Sequence, residues 1–491
     1  MKKILLLLFP ILIFLCFPVR VQATAQDYLD EAEERKDDPI ESNETPKWPQ
    51  GPAIGAESAV LMDADTGTLL YAKNIDAQLF PASTTKLMTC LVAIENCPLD
   101  EVISISQSAI DANERDGSHM YLEAGEKLTL EELLYGIIIN SANEACNAVG
   151  EHIAGSMDAY VDMMNAKAAE LGCKNTHFVT TNGLHDDNHY TSAYDLALIA
   201  RAFFSHEILA GMACTTRHVI AENDMHGEHN LKSKNKLYPD QEYAYDGLIG
   251  SKTGFTSKSR QTLVSCAQRG GLKLICVIMK EESPFQFTDT TELFDYGFEH
   301  FAVTDADDLD KRFDVSNSDF FSTAGDIFGA TSPLVYVQKG ARMLLPDSLS
   351  LSDIQTSISY SDLQPGWLAK VDYSYHGISL GTAPVLMNSS PVESELHITS
   401  SSLSGKNPND EKIYVNIYQL ITILVVSGVS VMVLLLIIHF SRMYLRHARK
   451  LRRIKQKREE VLKSRSTLRK DFNSRHRQQR DERPRRSRRP D

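Results

Sequence analysis

Two hydrophobic periods alternate along this chain. SAVLMD and TLLYAKN are short apolar runs of strand length with Ala64-Asp65-Thr66-Gly67 between them, which predicts a β-hairpin. From Lys86 to about His206 the period lengthens. TLEELLYGIIIN, DAYVDMMNAKAAELG and AYDLALIARAFFS place apolar residues three and four apart and predict helices. The short period returns in QTLVSCAQRGGLKLICVIM, two strands about the turn Arg269-Gly270-Gly271, and DTTELFDYGFEHF predicts a closing helix that ends near Phe301. Strands at both ends and helices between them imply a mixed α+β unit over 51–303, in which the early hairpin joins the late strands in one antiparallel sheet. Residues 304–395 read differently. PLVYVQKG, ARMLLP, SISYS and WLAKVDYSYHGISLGTAPVLMN are short alternating runs with turns and predict a small β-sandwich domain.

The ends do not follow either period. Lys2 and Lys3, an apolar stretch over 4–17 and Ala23-Thr24-Ala25 predict a secretory signal peptide over 1–25. Residues 26–50 are charged and contain Pro, and are expected to be a linker, as is the polar stretch 396–412. IYQLITILVVSGVSVMVLLLIIHF is long enough to span a bilayer, so 413–440 is expected to be one transmembrane helix. From Ser441 onward 21 Lys/Arg stand against 6 Asp/Glu, a net of +15; the whole chain carries −14, which leaves −29 before that point. By the positive-inside rule the tail 441–491 is cytoplasmic and the bulk of the chain extracytoplasmic. The acidic outer part argues against nucleic acid as a partner.

Seven cysteines remain after the signal peptide, an odd number without a Cys-x-x-Cys, so a disulfide framework is not expected and most of them read as small core residues. His226 with His229 and His185 with His189 have metal-like spacing but no third ligand. They predict no metal site, and Asp186 and Asp187 read as solvated loop charges.

Candidate chemistry begins at PASTTK. A serine three residues before a lysine is a weak signal by itself, since Ser233 and Lys236 share it in SKNKLYP with no helix to follow. Ser83 and Lys86 precede an apolar helical run, which puts both on one face at a helix start. Ser141-Ala142-Asn143 and Lys252-Thr253-Gly254 follow in order. Serine-x-x-lysine, serine-x-asparagine and lysine-threonine-glycine in that sequence form the signature of penicillin-binding proteins and serine β-lactamases. A serine hydroxyl needs a base within reach, and Lys86 can serve only when neutral, a state that burial and the cation of Lys252 both favour. Ser141 is placed to relay a proton to the leaving nitrogen, and Asn143 to hold a substrate amide. Lys252 and Thr253 offer a charge and a hydroxyl to a carboxylate. Gly254 permits close approach of a strand, and the N–H groups of Ser83 and Phe255 are candidates for an oxyanion hole.

From residue 51 to 388 the chain resembles the low-molecular-mass penicillin-binding proteins, serine-type D-Ala-D-Ala carboxypeptidases. SAVLMDADTGTLLYAKNIDAQLFPASTTKLMT, HFVTTNGLHDDNHYTSAYDLALIARA, DGLIGSKTGFT and LQPGWLAKVDYSYHGISLGTAPVLM carry the resemblance. It implies a transpeptidase-like fold, Ser83 as acylated nucleophile, and removal of the last D-Ala from a peptidoglycan stem pentapeptide. It also implies inhibition by β-lactams, attachment to the membrane, and no metal or organic cofactor. A penicillin sensor and a β-lactamase are the alternatives. The chain departs from the family at two places. Ala142 stands where glycine is usual, and Gln286 stands where an arginine helps hold the substrate carboxylate; Arg260 is the candidate to replace that cation.

Overall fold

The computed structural model describes residues 24–113, 117–310, 335–361 and 363–387. The expected signal peptide up to residue 23, the expected transmembrane helix 413–440, the expected linker before it and the basic tail lie outside the described residues. Among the described residues no single helix is long and apolar enough to cross a membrane.

Strands β1 (Ser58–Asp63) and β2 (Leu69–Lys73) form the predicted hairpin. They join β7 (Leu248–Thr256), β8 (Arg260–Arg269) and β9 (Leu272–Glu281) in one sheet of order β2-β1-β9-β8-β7, antiparallel throughout. Alternation along β1 separates two cores. Val60 and Met62 face one way, with Val264 and Val277, onto helices α2 (Lys86–Asn96), α5 (Asn143–Ala154), α6 (Met157–Glu170) and α7 (Ala193–Ser205). Ala59 and Leu61 face the other way, with Leu263 and Ile278, onto α9 (Phe285–His300). Both faces are covered, so the strands read as nearly continuous apolar runs. β7 is an edge strand, and its outer edge borders the site described below.

Past Phe301 the described residues form strands. β10 (Phe301–Asp305) pairs with β12 (Arg342–Pro346). β11 (Val335–Val337), β13 (Gln355–Ser359), β14 (Trp367–Tyr375) and β15 (Ile378–Met387) make a four-stranded sheet of order β11-β15-β14-β13. Val337, Met343, Val371 and Leu380 share the core of Leu61 and Phe294, so the two parts are packed as one body.

The expectation of a linker over 26–50 is corrected. Residues Ala25–Arg35 are helix α1, opened by a capping box between Thr24 and Asp27, and Glu41–Glu44 form a 3-10 turn. Polar composition misled here because the anchors are few. Arg35 donates to the carbonyls of Gly55 (2.7 Å) and Lys280 (3.0 Å), and buried Trp48 donates its indole N–H to Leu70 O (2.8 Å).

Below α1 lie two buried carboxyl groups, Glu281 and Asp289. Burial, then a hydrogen bond with Glu281, pushes Asp289 up to about 9. The folded state therefore holds a proton that the unfolded chain releases above about pH 4, and stability falls as pH rises from there toward 9. Asp289→Asn is expected to remove this slope, at most about 1.4 kcal/mol per pH unit. Its melting temperature at pH 8 should exceed that of the wild type, while the two converge at pH 4–5; thermal unfolding at the two pH values checks it.

Candidate active site

The turn Ala82–Thr85 is 3-10 and leads directly into α2. Ser83 thus sits one turn before Lys86, as its spacing required, and Lys86 Nζ lies 2.8 Å from Ser83 Oγ. Pro81 O anchors the turn, accepting from Thr84 Oγ1 (2.7 Å) and from Thr262 Oγ1 on β8 (2.9 Å). Lys86 is only 1% exposed; its Nζ also reaches Asn143 Oδ1 at 2.8 Å and the backbone O of Asn182 at 2.6 Å. Burial lowers its pKa.

Ser141 follows a π-helical turn (Gly136–Asn140) and adopts a left-handed backbone, φ 61°. That conformation costs energy in a non-glycine residue, and it aims the hydroxyl at Lys252, whose Nζ donates to Ser141 Oγ at 3.0 Å. Ala142 is buried at φ −60°, ψ 117°, so this position needs no glycine and the methyl is accommodated. Asn143 opens α5, its amide divided between Lys86 and Asn113 Oδ1 (3.0 Å).

Lys252 is buried on β7, and its Nζ also donates to Thr253 O at 3.0 Å. Burial first, and the charge of Lys86 second, push it down to about 7. Of the two causes expected to lower Lys86, burial acts as expected, whereas the repulsion between the two lysines is felt at Lys252. A productive pair has one neutral amine and one ammonium, so kcat/KM should be bell-shaped in pH. Lys252→Arg keeps a charge at every accessible pH. Its alkaline limb above about pH 7 should vanish although the maximal rate is lower, which a pH–rate profile from 5 to 10 checks.

Gly254 is required by the nucleophile's turn as much as by any ligand. A Cβ there would meet Thr262 Oγ1 at 2.3 Å and Ser83 N at 2.9 Å. Phe255, 56% exposed, stands at the mouth. These residues line a cavity of about 670 Å³ that includes Ser83, Ser141, Asn143, Lys252, Thr253 and Gln286.

The structure does not bring Arg260 into that cavity. Its guanidinium forks onto Glu282 (Nε–Oε1 2.7 Å, Nη2–Oε2 2.6 Å) and lies 3.9 Å from the ring of Tyr28 on α1. Arg260 is a structural clamp, not a replacement for the missing arginine. Its partner was hidden because Glu282 lies one residue past the end of β9 and only the β8–β9 register brings the two together. Gln286 does line the cavity. It is 4% exposed, Nε2 donates weakly to Gln261 Oε1 (3.3 Å), and Oε1 has no partner.

Sequence reading missed the segment Thr181–Leu184. Asn182 supplies the carbonyl that Lys86 uses, and its side chain bonds Asn147 Oδ1 (3.2 Å). His189 pins the segment from behind, accepting the N–H groups of Val179 (3.0 Å) and Thr180 (3.2 Å) while its other nitrogen meets Thr85 Oγ1 (2.9 Å). Burial holds its imidazole near 4, hence neutral. Asn182-Gly183 is a turn signal, but nothing local tells which side chain the turn touches. His226 and His229 face Glu132 (3.6 Å) and Glu126 (3.5 Å) away from Ser83; among the described residues no three His, Cys, Asp or Glu converge as metal ligands would. Cys90 and Cys146 are buried, free core residues.

The comparisons agree with this geometry. A family model described as D-alanyl-D-alanine carboxypeptidase matches residues 44–283. D-alanyl-D-alanine carboxypeptidase DacB2 of Mycobacterium tuberculosis is 31% identical over 256 residues, 51% of this chain and 84% of its own length. The chain belongs to the D-alanyl-D-alanine carboxypeptidase family. DacF of Bacillus subtilis is 35% identical over 252 residues, which cover 50% of this chain and 63% of DacF. The crystal structure of penicillin binding protein 6B from Escherichia coli matches with a TM-score of 0.53 and 26% identity, over 69% of this chain and 98% of that one. All three family motifs fall inside the matched region, and Ser83, Lys86, Ser141, Asn143 and Lys252 are joined by direct hydrogen bonds in two groups across one cavity.

Proposed function

We propose that this protein is a serine-type carboxypeptidase that removes the terminal D-Ala from peptidoglycan stem pentapeptides through an acyl-enzyme on Ser83. One observation carries the reading: buried Lys86, whose pKa burial lowers, holds its Nζ 2.8 Å from Ser83 Oγ. Once it is neutral, its two N–H bonds serve the fixed acceptors Asn143 Oδ1 and Asn182 O, and its lone pair is free for the Ser83 hydroxyl.

In this mechanism Ser83 Oγ attacks the carbonyl of the penultimate D-Ala and its proton passes to Lys86. The tetrahedral oxyanion lies toward the Ser83 and Phe255 N–H groups. Ser141, held by Lys252, delivers its proton to the leaving nitrogen as the C–N bond breaks and is reprotonated by the proton that Lys86 took, which returns Lys86 to a neutral amine. Water then attacks the ester with Lys86 as base, and Ser83 is restored. Lys252 and Thr253 hold the terminal carboxylate. With Gln286 in the cavity and Arg260 tied to Glu282, Lys252 is the buried cation for that carboxylate, beside exposed Lys234 at the cavity wall, and its pKa near 7 makes binding sensitive to pH. The β-rich region after residue 303, together with a C-terminal span at 413–440 and a cytoplasmic tail, would hold the catalytic part outside the membrane.

Incubating the full chain in detergent with a D-Ala-D-Ala pentapeptide, and separately with labelled penicillin, tests the proposal. D-Ala release that disappears in Ser83→Ala is the expected result. Stable penicillin labelling without peptide turnover would establish a sensor instead, and rapid penicillin hydrolysis a β-lactamase.

A further inference from the structure

Beside the catalytic cavity lies a second groove of about 240 Å³. Its walls include Arg217 and Lys232, Ser233 and Asn235, and Tyr238 and Asp240. Ser233 and Asn235 also line the catalytic cavity, so the two spaces share a wall.

Three features of this groove have no structural purpose in the free protein. Arg217 on β5 (Arg217–Ile220) and Lys232 on β6 (His229–Lys232) are direct cross-strand partners, an arrangement in which like charges destabilise the pair. Both are exposed and neither forms an ion pair among the described residues, although the chain before its basic tail carries −29. Asp240 also lines the groove, with no ion pair to either cation among the described residues. Asn235 adds an independent sign. It is 4% exposed, and its Oδ1 is committed to the N–H of Leu237 (2.9 Å), which fixes the orientation of the amide. Its Nδ2 is then a buried donor with no acceptor. Such a donor costs free energy unless something fills the place. Two unpaired cations call for an anionic acceptor, and the wall that the groove shares with the catalytic cavity holds an orphan donor.

The hairpin is coupled to the catalytic turn. Lys232 N–H donates to Asn140 Oδ1 at 3.0 Å, next to Ser141, and Ser233 N–H donates to Thr216 O at 2.9 Å. We propose that this groove is a carboxylate subsite, which binds an acidic group of the peptide substrate on the acyl side of the scissile bond. The inference rests on the carboxypeptidase reading for its substrate, and it deepens that reading by requiring a free carboxylate upstream of D-Ala-D-Ala.

The test uses two pentapeptides that end in D-Ala-D-Ala and differ at one upstream side group, a free carboxylate in one and its carboxamide in the other. The full chain should show kcat/KM about tenfold higher for the acid, a difference that shrinks with added salt. In Arg217→Gln/Lys232→Gln the two peptides should be equal within about twofold, with Ser83 acylation by penicillin unchanged. Equal rates in the wild type, or a preference that survives in the double variant, overturn the subsite. If the wild type turns over neither peptide, the carboxypeptidase reading fails. The groove is then judged by equilibrium binding of the same peptides to Ser83→Ala. Tighter binding of the acid that is lost with Arg217 and Lys232 supports the subsite, and equal binding overturns it.

Discussion

Lys86→Met is expected to slow acylation of Ser83 by about 10³-fold, near the middle of the range for loss of a positioned base. Met matches the length and apolar stem of lysine, so the turn Ala82–Thr85 keeps its packing against α2. What is lost is the amine. Among the described residues Ser83 Oγ has no other base at hydrogen-bond distance, and the buried amine of Lys252 is committed to Ser141 and Thr253 O. Two buried acceptors, Asn143 Oδ1 and Asn182 O, also lose their donor, at about 1–3 kcal/mol each if they stay dry. A second consequence separates the base from a mere spacer. The folded pKa of Lys86 lies below its unfolded value, so the native state binds fewer protons over that interval and stability rises with pH across it. Lys86→Met flattens that rise, and it removes the acid limb of whatever slow acylation remains. Stopped-flow labelling with a fluorescent penicillin, read beside melting curves at pH 6 and 9, checks both. An acid limb that persists in the variant would place the base elsewhere.

The parts of this site that were legible in the sequence are those in which chemistry and local geometry coincide. Ser83 and Lys86 are one turn apart, so a helix start is enough to join them. Lys252-Thr253-Gly254 lies on a strand whose pattern announces it, and the order of the three motifs does the rest. The sheet was legible for the same reason, since short continuous apolar runs bounded by turn residues fit strands covered on both faces. What stayed hidden depended on register and on backbone atoms. The capture of Arg260 by Glu282 needs the β8–β9 pairing. The carbonyl of Asn182 reaches Lys86 from 96 residues away, through an atom that every residue type possesses. Helix α1 was read as a linker because burial of Ala32 alone gives it no apolar stripe, while its attachment runs through Arg35 and Tyr28.

That hidden segment is where a single methyl group has its largest expected effect. Gly183 has φ +85°, and a Cβ built on it would lie 1.9 Å from Ala82 O and 2.5 Å from Ala82 C. Ala82 is itself left-handed at φ 50° and immediately precedes the nucleophile, so the loop after Asn182 rests directly on the turn that aims Ser83. The overlap is with backbone, and no rotamer relieves it. Gly183→Ala therefore adds the left-handed cost of a non-glycine residue, about 1–2 kcal/mol, to an overpacking cost of about 1–3 kcal/mol. Gly172 is the control. It has φ +84° with nothing within 4 Å of the added methyl, so Gly172→Ala incurs only the first cost. The expected result is a drop in stability of about 1 kcal/mol for Gly172→Ala with acylation unchanged. For Gly183→Ala the drop is about 2–5 kcal/mol, with acylation slowed at least about tenfold at temperatures where the variant is folded. The rate loss follows from geometry: relieving the overlap moves either Ser83 or the carbonyl of Asn182, and Lys86 is bonded to both. Equal stabilities for the two variants would mean that the loop does not press on the nucleophile's turn.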